Sequence, residues 1–420
     1  MRINRLLPPP RPFATLVLLL ACCVPPFSAV AQSSRHWVGT WAASQQLPEP
    51  QNSLIPAQLN DATLRQIIHL SVGGQVLRVH LSNAFGYLPL LLTDVHVARP
   101  LSPSSPAIDP ASDRPLTFAG RTSVLIPAGA EFISDPLEYA TAPLSDLAIS
   151  IHYDRPPADQ TGHPGSRATS YLVHGDAVSA ADLPGAQKFD HWYQLAAVDV
   201  ATAAPSGSIV ALGDSNTDGH GATTNGNDRW TDILAQRLQA DSRTRSLGVL
   251  NQGIGGNHLL TDGLGPNALA RFDRDVLAQT GVRWLIVFEG VNDIGGLARL
   301  QDPPAAEHES LVQRILASYE QLIARAHAAH LKVIGATITP YTGSDYYHPP
   351  PSSESDRQKI NAWIRAPGHF DALIDFDKVV ADPQRPDRLA PALDCGDHLH
   401  PSPAGYRAMG EAIPLSLFLD

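Results

Sequence analysis

Cysteine is scarce. The 420 residues hold three, and two of them, Cys22 and Cys23, fall in the first thirty. Should that leader be removed, only Cys395 remains and no disulfide can close within the chain. A small disulfide-stapled scaffold is excluded, and stability has to come from core size. The lone thiol, two residues before Asp397, reads as a small buried side chain rather than a nucleophile. Basic residues are also few, 30 Lys and Arg against 41 Asp and Glu. Nucleic acid and anionic membrane both need a basic surface, so neither is an expected partner. No apolar run reaches the roughly 20 residues of a spanning helix, which argues against stable membrane anchoring. The 17 histidines are scattered, without a zinc-ligand spacing such as H-E-x-x-H. There is no internal repeat and no long low-complexity tract.

What is present is a globular composition, 43% hydrophobic and 17% charged, with 37 prolines that point to many loops and short strands. The N-terminus reads as an export signal over residues 1–31. Arg2, Arg5 and Arg11 precede an apolar run from Phe13 to Val24, and Ser28-Ala29-Val30-Ala31 supplies a small-x-small cleavage site. Cleavage there predicts a start near Gln32, a mature chain with 27 basic and 41 acidic residues, and a secreted or periplasmic location. Leu19-Leu20-Ala21-Cys22 is an imperfect lipid-attachment site and the weaker reading.

Two textures follow. Residues 36–200 alternate with period two in short runs at 94–98, 123–126, 131–133, 147–153, 170–173 and 193–200, punctuated by Pro and Gly. Ile68, Leu70 and Val72, then Gly73-Gly74, then Leu77, Val79 and Leu81 predict a β-hairpin. This half is expected to be an antiparallel β-sandwich. After a linker at 201–207 the runs become continuous and apolar, at 209–212, 247–250, 284–288, 332–338 and 372–376. Helical spacing lies between them, as in Trp230, Ile233, Leu234 and Leu238, and in Leu311, Ile315, Leu322 and Ile323. Strands alternating with helices predict an α/β domain over 208–420, a flavodoxin-like five-stranded parallel sheet whose sites lie at the carboxyl ends of its strands.

Each strong polar motif of this second half follows one of those runs. Gly213-Asp214-Ser215-Asn216 places a serine at a strand end, though Asp and Ser are also ordinary helix caps. Asn251-Gln252-Gly253-Ile254-Gly255-Gly256-Asn257 leaves unshielded backbone amides that suit an anion, without the spacing of a dinucleotide fingerprint. Gly290-Val291-Asn292-Asp293 offers an amide side chain to a developing oxyanion, or a plain turn residue. Asp397-His398-Leu399-His400-Pro401 spaces a carboxylate and an imidazole so that Asp397 can orient His400 while the ring reaches Ser215. His398 has the wrong spacing for that role. A serine is a weak nucleophile on its own and needs such a base.

These four blocks, in this order, resemble the SGNH or GDSL-like hydrolases: Ser215 in Gly-Asp-Ser, Gly256 in Asn-x-Gly-x-x-Gly, Asn292 in Gly-x-Asn-Asp and His400 in Asp-x-x-His. The likeness covers 208–420. It implies a serine esterase with Ser215, His400 and Asp397 as catalytic residues. It also implies an oxyanion hole from the Ser215 amide, the Gly256 amide and the Asn292 side chain, with no metal or organic cofactor. Asn216 departs from the pattern, which often has a hydrophobic residue there. The half beginning His36-Trp37-Val38-Gly39-Thr40-Trp41 is similar to the β-rich leader of secreted bacterial members linked to xylan breakdown. That implies short acyl groups, acetyl above all, on a small-molecule or polysaccharide ester, with Trp37, Trp41 and Tyr171 as candidate stacking residues, although core packing is the commoner fate of such aromatics. Two other readings stay open: a lipase or acylhydrolase acting on lipid esters, and a carbohydrate-binding protein with a degenerate hydrolase domain.

Overall fold

The computed structural model describes residues 36–202 and 206–419. The leader expected over 1–31 lies outside the described residues. Among those residues no helix is long and apolar enough to cross a membrane.

The N-terminal half is built from two antiparallel sheets. In one, His36–Ala42 pairs with Leu195–Thr202, which pairs with Gly74–Ser82, flanked in turn by Glu131–Ile133 and Leu137–Thr141. In the other the order is Gln187–Phe189, Ser170–His174, Ala62–His69, Asp146–Tyr153, Asp94–Ala98, Arg114–Pro115. Alternate side chains point inward. Leu77, Val79, Leu81, Val198 and Val200 of the first sheet share one buried core with Leu64, Ile68, Val95, Val97, Ile149 and Ile151 of the second. Each such side chain stabilises the fold by roughly 1.5–3 kcal/mol on burial.

The predicted hairpin at Gly73-Gly74 does not form. Ala62–His69 and Gly74–Ser82 sit in different sheets, and the glycines carry the chain across the sandwich. Neither has the positive φ that a two-residue type I′ turn requires at both central positions. They are glycine because backbone comes close. A Cβ on Gly73 would lie 2.5 Å from the Thr141 carbonyl oxygen, and one on Gly74 2.7 Å from that of Ala201.

The C-terminal half holds a parallel sheet in the order Leu247–Gly253, Gly207–Gly213, Val282–Phe288, Lys332–Ala336, Ala372–Ile374. The flavodoxin-like order expected from the sequence is therefore observed. Along the first strand Ile209 and Ala211 face helices Trp230–Ala240 and Pro403–Ala412, while Val210 and Leu212 face Ala305–Ala328 and Pro351–Arg365. Covered on both faces by apolar side chains, residues 209–212 are apolar without a break, which is why the run is continuous.

The described residues of the two halves form one unit. The Gly39 amide donates to Thr280 O (3.0 Å) and to Ser208 Oγ (3.1 Å). The Val249 amide donates to Ser71 Oγ at 2.9 Å.

Candidate active site

The first parallel strand ends at Gly213 and turns at once into the short helix Ser215–Asp218. The turn is tight. A Cβ on Gly213 would meet Thr217 Oγ1 at 2.1 Å and Phe288 O at 2.8 Å. Asp214 caps the helix, its carboxylate accepting the Asn216 amide at 2.8 Å. Ser215 thus stands at the carboxyl edge of the sheet, 5% exposed.

His400 arrives from the loop before helix Pro403–Ala412. Its Nε2 lies 2.8 Å from Ser215 Oγ, and its Nδ1 2.6 Å from Asp397 Oδ2. Since Nδ1 faces a carboxylate, it carries the hydrogen, and Nε2 is left to accept the serine proton. Asp397 is fixed by its own loop, Oδ1 accepting the amides of Leu399 and His400, both at 2.9 Å. Burial raises the Asp397 pKa, but the hydrogen bond and attraction of His400, with those two amides, outweigh it and hold the carboxyl well below its usual range. His398 turns away at φ +61 and pairs with Asp394 at 2.5 Å. Cys395 is exposed, against the expectation of a buried thiol, in a loop where its amide donates to His400 O at 3.0 Å. Its pKa is pushed up to about 11 by partial burial and by Asp397, so the thiolate is disfavoured.

The glycine block follows the second strand. The Asn257 amide donates to Ile254 O at 3.1 Å, with Gly256 at φ +72 in the turn so closed. Asn292 lies in the first turn of helix Val291–Ala298. Its Nδ2 donates to Asn257 O at 2.7 Å and its Oδ1 accepts the Tyr347 hydroxyl at 2.6 Å. One hydrogen of that amide is used by the glycine loop and the other is left over. Asp293 holds the same loop through the amides of Leu259 (2.9 Å) and Leu260 (3.0 Å).

Beneath these groups lies Arg271, fully buried. Its guanidinium donates to Gly213 O (2.9 Å), Gln252 O (2.6 Å), Asn257 Oδ1 (3.0 Å) and Glu289 Oε1 (3.1 Å). One side chain therefore ties the ends of the first two strands, the residue after the third and the glycine loop. Asp275 and Glu289 pair with it, both at 3.1 Å. Burial raises the pKa of Asp214, Glu289 and Asp293, and the charge of neighbouring carboxyls adds to the rise at Asp214 and Glu289.

His220 borders the mouth. Its Nε2 lies 3.6 Å from Asp397 Oδ2, and Arg167 Nη2 from the N-terminal half reaches its Nδ1 at 3.0 Å. Of the candidate stacking aromatics, Trp41 packs edge-on against Trp192 and Tyr171 is fully buried. Trp37 is half-buried with the Arg78 guanidinium 4.4 Å over its ring. Trp41 and Tyr171 are core residues, whereas Trp37 stands at the surface under Arg78.

A serine hydroxyl, imidazole and carboxylate in hydrogen-bonded series, with a glycine loop and a strand-end asparagine alongside, are the parts of an acyl-transfer site. Residues 211–408 match the model of the GDSL-like Lipase/Acylhydrolase family. That segment belongs to the family. Its likeness is to ester hydrolases of the SGNH type. No curated protein matches the chain. Among solved structures it is similar to a protein from Desulfitobacterium hafniense DCB-2 described as lipolytic and of the G-D-S-L family, at 25% identity over 49% of this chain and 96% of that one, TM-score 0.36. A GDSL-like lipase from Bacteroides thetaiotaomicron VPI-5482 matches at 17% identity over 50% and 87%, TM-score 0.36. An aryl esterase from M. smegmatis matches at 16% over 49% and 95%, TM-score 0.36.

Sequence reasoning singled out Ser215, Gly256, Asn292, Asp397 and His400, and the fold brings all five strand-end and loop positions to one edge of the sheet. It passed over Arg271, Tyr347 and His220. None stands in a local motif. Their partners lie in other elements, 14 positions away from Arg271 to Asn257 and 177 from His220 to Asp397, so nothing in their neighbourhood marks them.

Proposed function

We propose that the protein is an exported serine esterase that cleaves short acyl esters through an acyl-enzyme, with acetyl groups on hydroxyl-rich alcohols as the preferred class. The observation that carries the reading is the series Ser215 Oγ, His400, Asp397 at 2.8 and 2.6 Å. His400 Nε2 takes the serine proton as Oγ attacks the ester carbonyl. Negative charge then develops on the carbonyl oxygen, where the Ser215 and Gly256 amides and the spare hydrogen of Asn292 Nδ2 serve as donors. The imidazolium so formed is stabilised by Asp397, which stays ionised because its proton affinity is depressed. His400 returns the proton to the leaving alkoxide. It then deprotonates a water that attacks the acyl-enzyme, and Ser215 is regenerated.

The polar alcohol is supported by the rim, where His220, Arg167 and Asp397 offer hydrogen-bonding groups. Leu264 lies close over Gly256 and bounds the space beside the donors, which favours a short acyl group. The test is kcat/KM on p-nitrophenyl esters of increasing length, acetylated xylan and a long-chain triglyceride, with Ser215→Ala as control. Loss of turnover in Ser215→Ala, insensitivity to EDTA, and a steep fall beyond about eight carbons are expected, since a long chain needs an apolar groove yielding about 0.8 kcal/mol per methylene. Preference for the triglyceride would replace this reading with a lipase.

A further inference from the structure

The geometry points to His163 and Asp218 as a positioning pair through which the N-terminal β half sets the oxyanion donor Gly256, an inference that rests on the ester-hydrolase reading above. His163 lies on strand Gly162–Pro164 of the β half, and Asp218 ends the helix that begins with Ser215. Their side chains are 4% and 5% exposed and meet at 2.9 Å between Nε2 and Oδ1. The other ring nitrogen, Nδ1, faces the Ser44 carbonyl oxygen at 2.8 Å. Both neighbours of the ring are acceptors, so both nitrogens must carry hydrogen to satisfy them, and the pair is ionic. Trp192 stacks on the ring, centroids 5.7 Å apart, and fixes its plane.

The second oxygen of Asp218 accepts the Gly255 amide at 3.2 Å. Gly255 occupies the second position of the turn Ile254–Asn257 and Gly256 the third, at φ +72, the pattern of a type II turn. Type I and type II turns differ in the peptide between those two positions, which rotates by about 150–170°. That peptide carries the Gly256 N–H. With glycine at both positions no Cβ resists the rotation, so the carboxylate on the Gly255 amide, together with Asn292 on the Asn257 carbonyl, keeps the donor aimed. A bare carboxylate this near a forming oxyanion would oppose the charge, and His163 neutralises it. Residues 44, 163 and 192 all belong to the β half, which makes that half part of the catalytic apparatus rather than an appended module.

The experiment uses the full chain and p-nitrophenyl acetate, with Asp218→Ala, Asp218→Asn, His163→Ala and the double variant His163→Ala/Asp218→Asn. Asp218→Ala should lower kcat at least about tenfold with KM within about twofold, because the donor acts in the transition state. Asp218→Asn, whose amide oxygen still accepts from Gly255, should exceed Asp218→Ala. His163→Ala should lose kcat by leaving the carboxylate unpaired, and adding Asp218→Asn should restore part of it. Should Asp218→Ala fail to fold, the comparison of His163→Ala with the double variant carries the test. A melting temperature lowered with kcat intact, or no rescue in the double variant, overturns the pair's role while the esterase reading stands. A wild-type chain that hydrolyses no ester overturns both.

Discussion

The imidazole of His220 lies 4.0 Å from that of His400, the two rings tilted by 36°. Burial, the charge of His400 and that of Arg167 together lower the His220 pKa to about 4, against the pull of Asp397 and Asp218 in the other direction. His220 is therefore neutral at pH 7 and does not compete with His400 for Asp397. NMR of the ring should show a midpoint near 4, far below the ordinary value of about 6.5. Arg167→Ala should move that midpoint up, since it removes a neighbouring positive charge. Because the folded pKa is depressed, the unfolded chain binds more protons between those two values, and stability rises with pH across that window. A midpoint near 6.5 would contradict the placement.

Asp397→Asn should cut kcat by about four orders of magnitude, as in other serine triads, because an amide offers Nδ1 no carboxylate and the ring loses its tautomer. The fold should persist, since the Asn oxygen still accepts the Leu399 and His400 amides. Single-turnover kinetics on p-nitrophenyl acetate check it, and a loss below tenfold would remove Asp397 from its role.

Asn292→Ala should lower kcat by about 10²–10³ with a smaller change in KM, the size expected for one oxyanion donor. Tyr347→Phe removes the hydroxyl that holds Asn292 Oδ1 and should lower kcat by a smaller factor, about tenfold. If Tyr347→Phe changed KM alone, the hydroxyl would be contacting substrate and not orienting Asn292.

His80 tests how the β half is held. Its two nitrogens face Glu131 (2.7 Å) and Asp199 (2.9 Å), and Asp199 also accepts from Thr280 of the hydrolase half at 2.8 Å. Burial alone would lower the His80 pKa, but both carboxylates raise it to about 9. The folded value lies above the unfolded one near 6.5, so the stabilisation is complete below about pH 6.5 and is lost as pH rises through 9. His80→Gln should therefore cost on the order of 3 kcal/mol at pH 6, and progressively less towards pH 9, measured by denaturant unfolding. An equal deficit at both ends would mean that the ring contributes packing and no charge.

The sequence by itself determined the two textures and the parallel sheet. A strand packed between layers of helices takes a run of apolar residues, and a sandwich strand turns every second residue to the core, so both patterns are written locally. It also determined the four blocks, because strand ends in an open parallel sheet converge on one edge wherever the helices go. Tertiary structure decided the rest. Gly73-Gly74 satisfies the composition of a hairpin, yet the close approach of Thr141 and Ala201, more than 60 positions away, makes it a crossing between sheets. Arg271, Tyr347, His220 and the His163–Asp218 pair take their meaning from partners supplied by other elements. An arginine in a short helix looks the same in sequence whether it faces water or a ring of buried acceptors. Only packing removes the water, and it is the removal of water that turns those ordinary side chains into fixed donors and charges around Ser215.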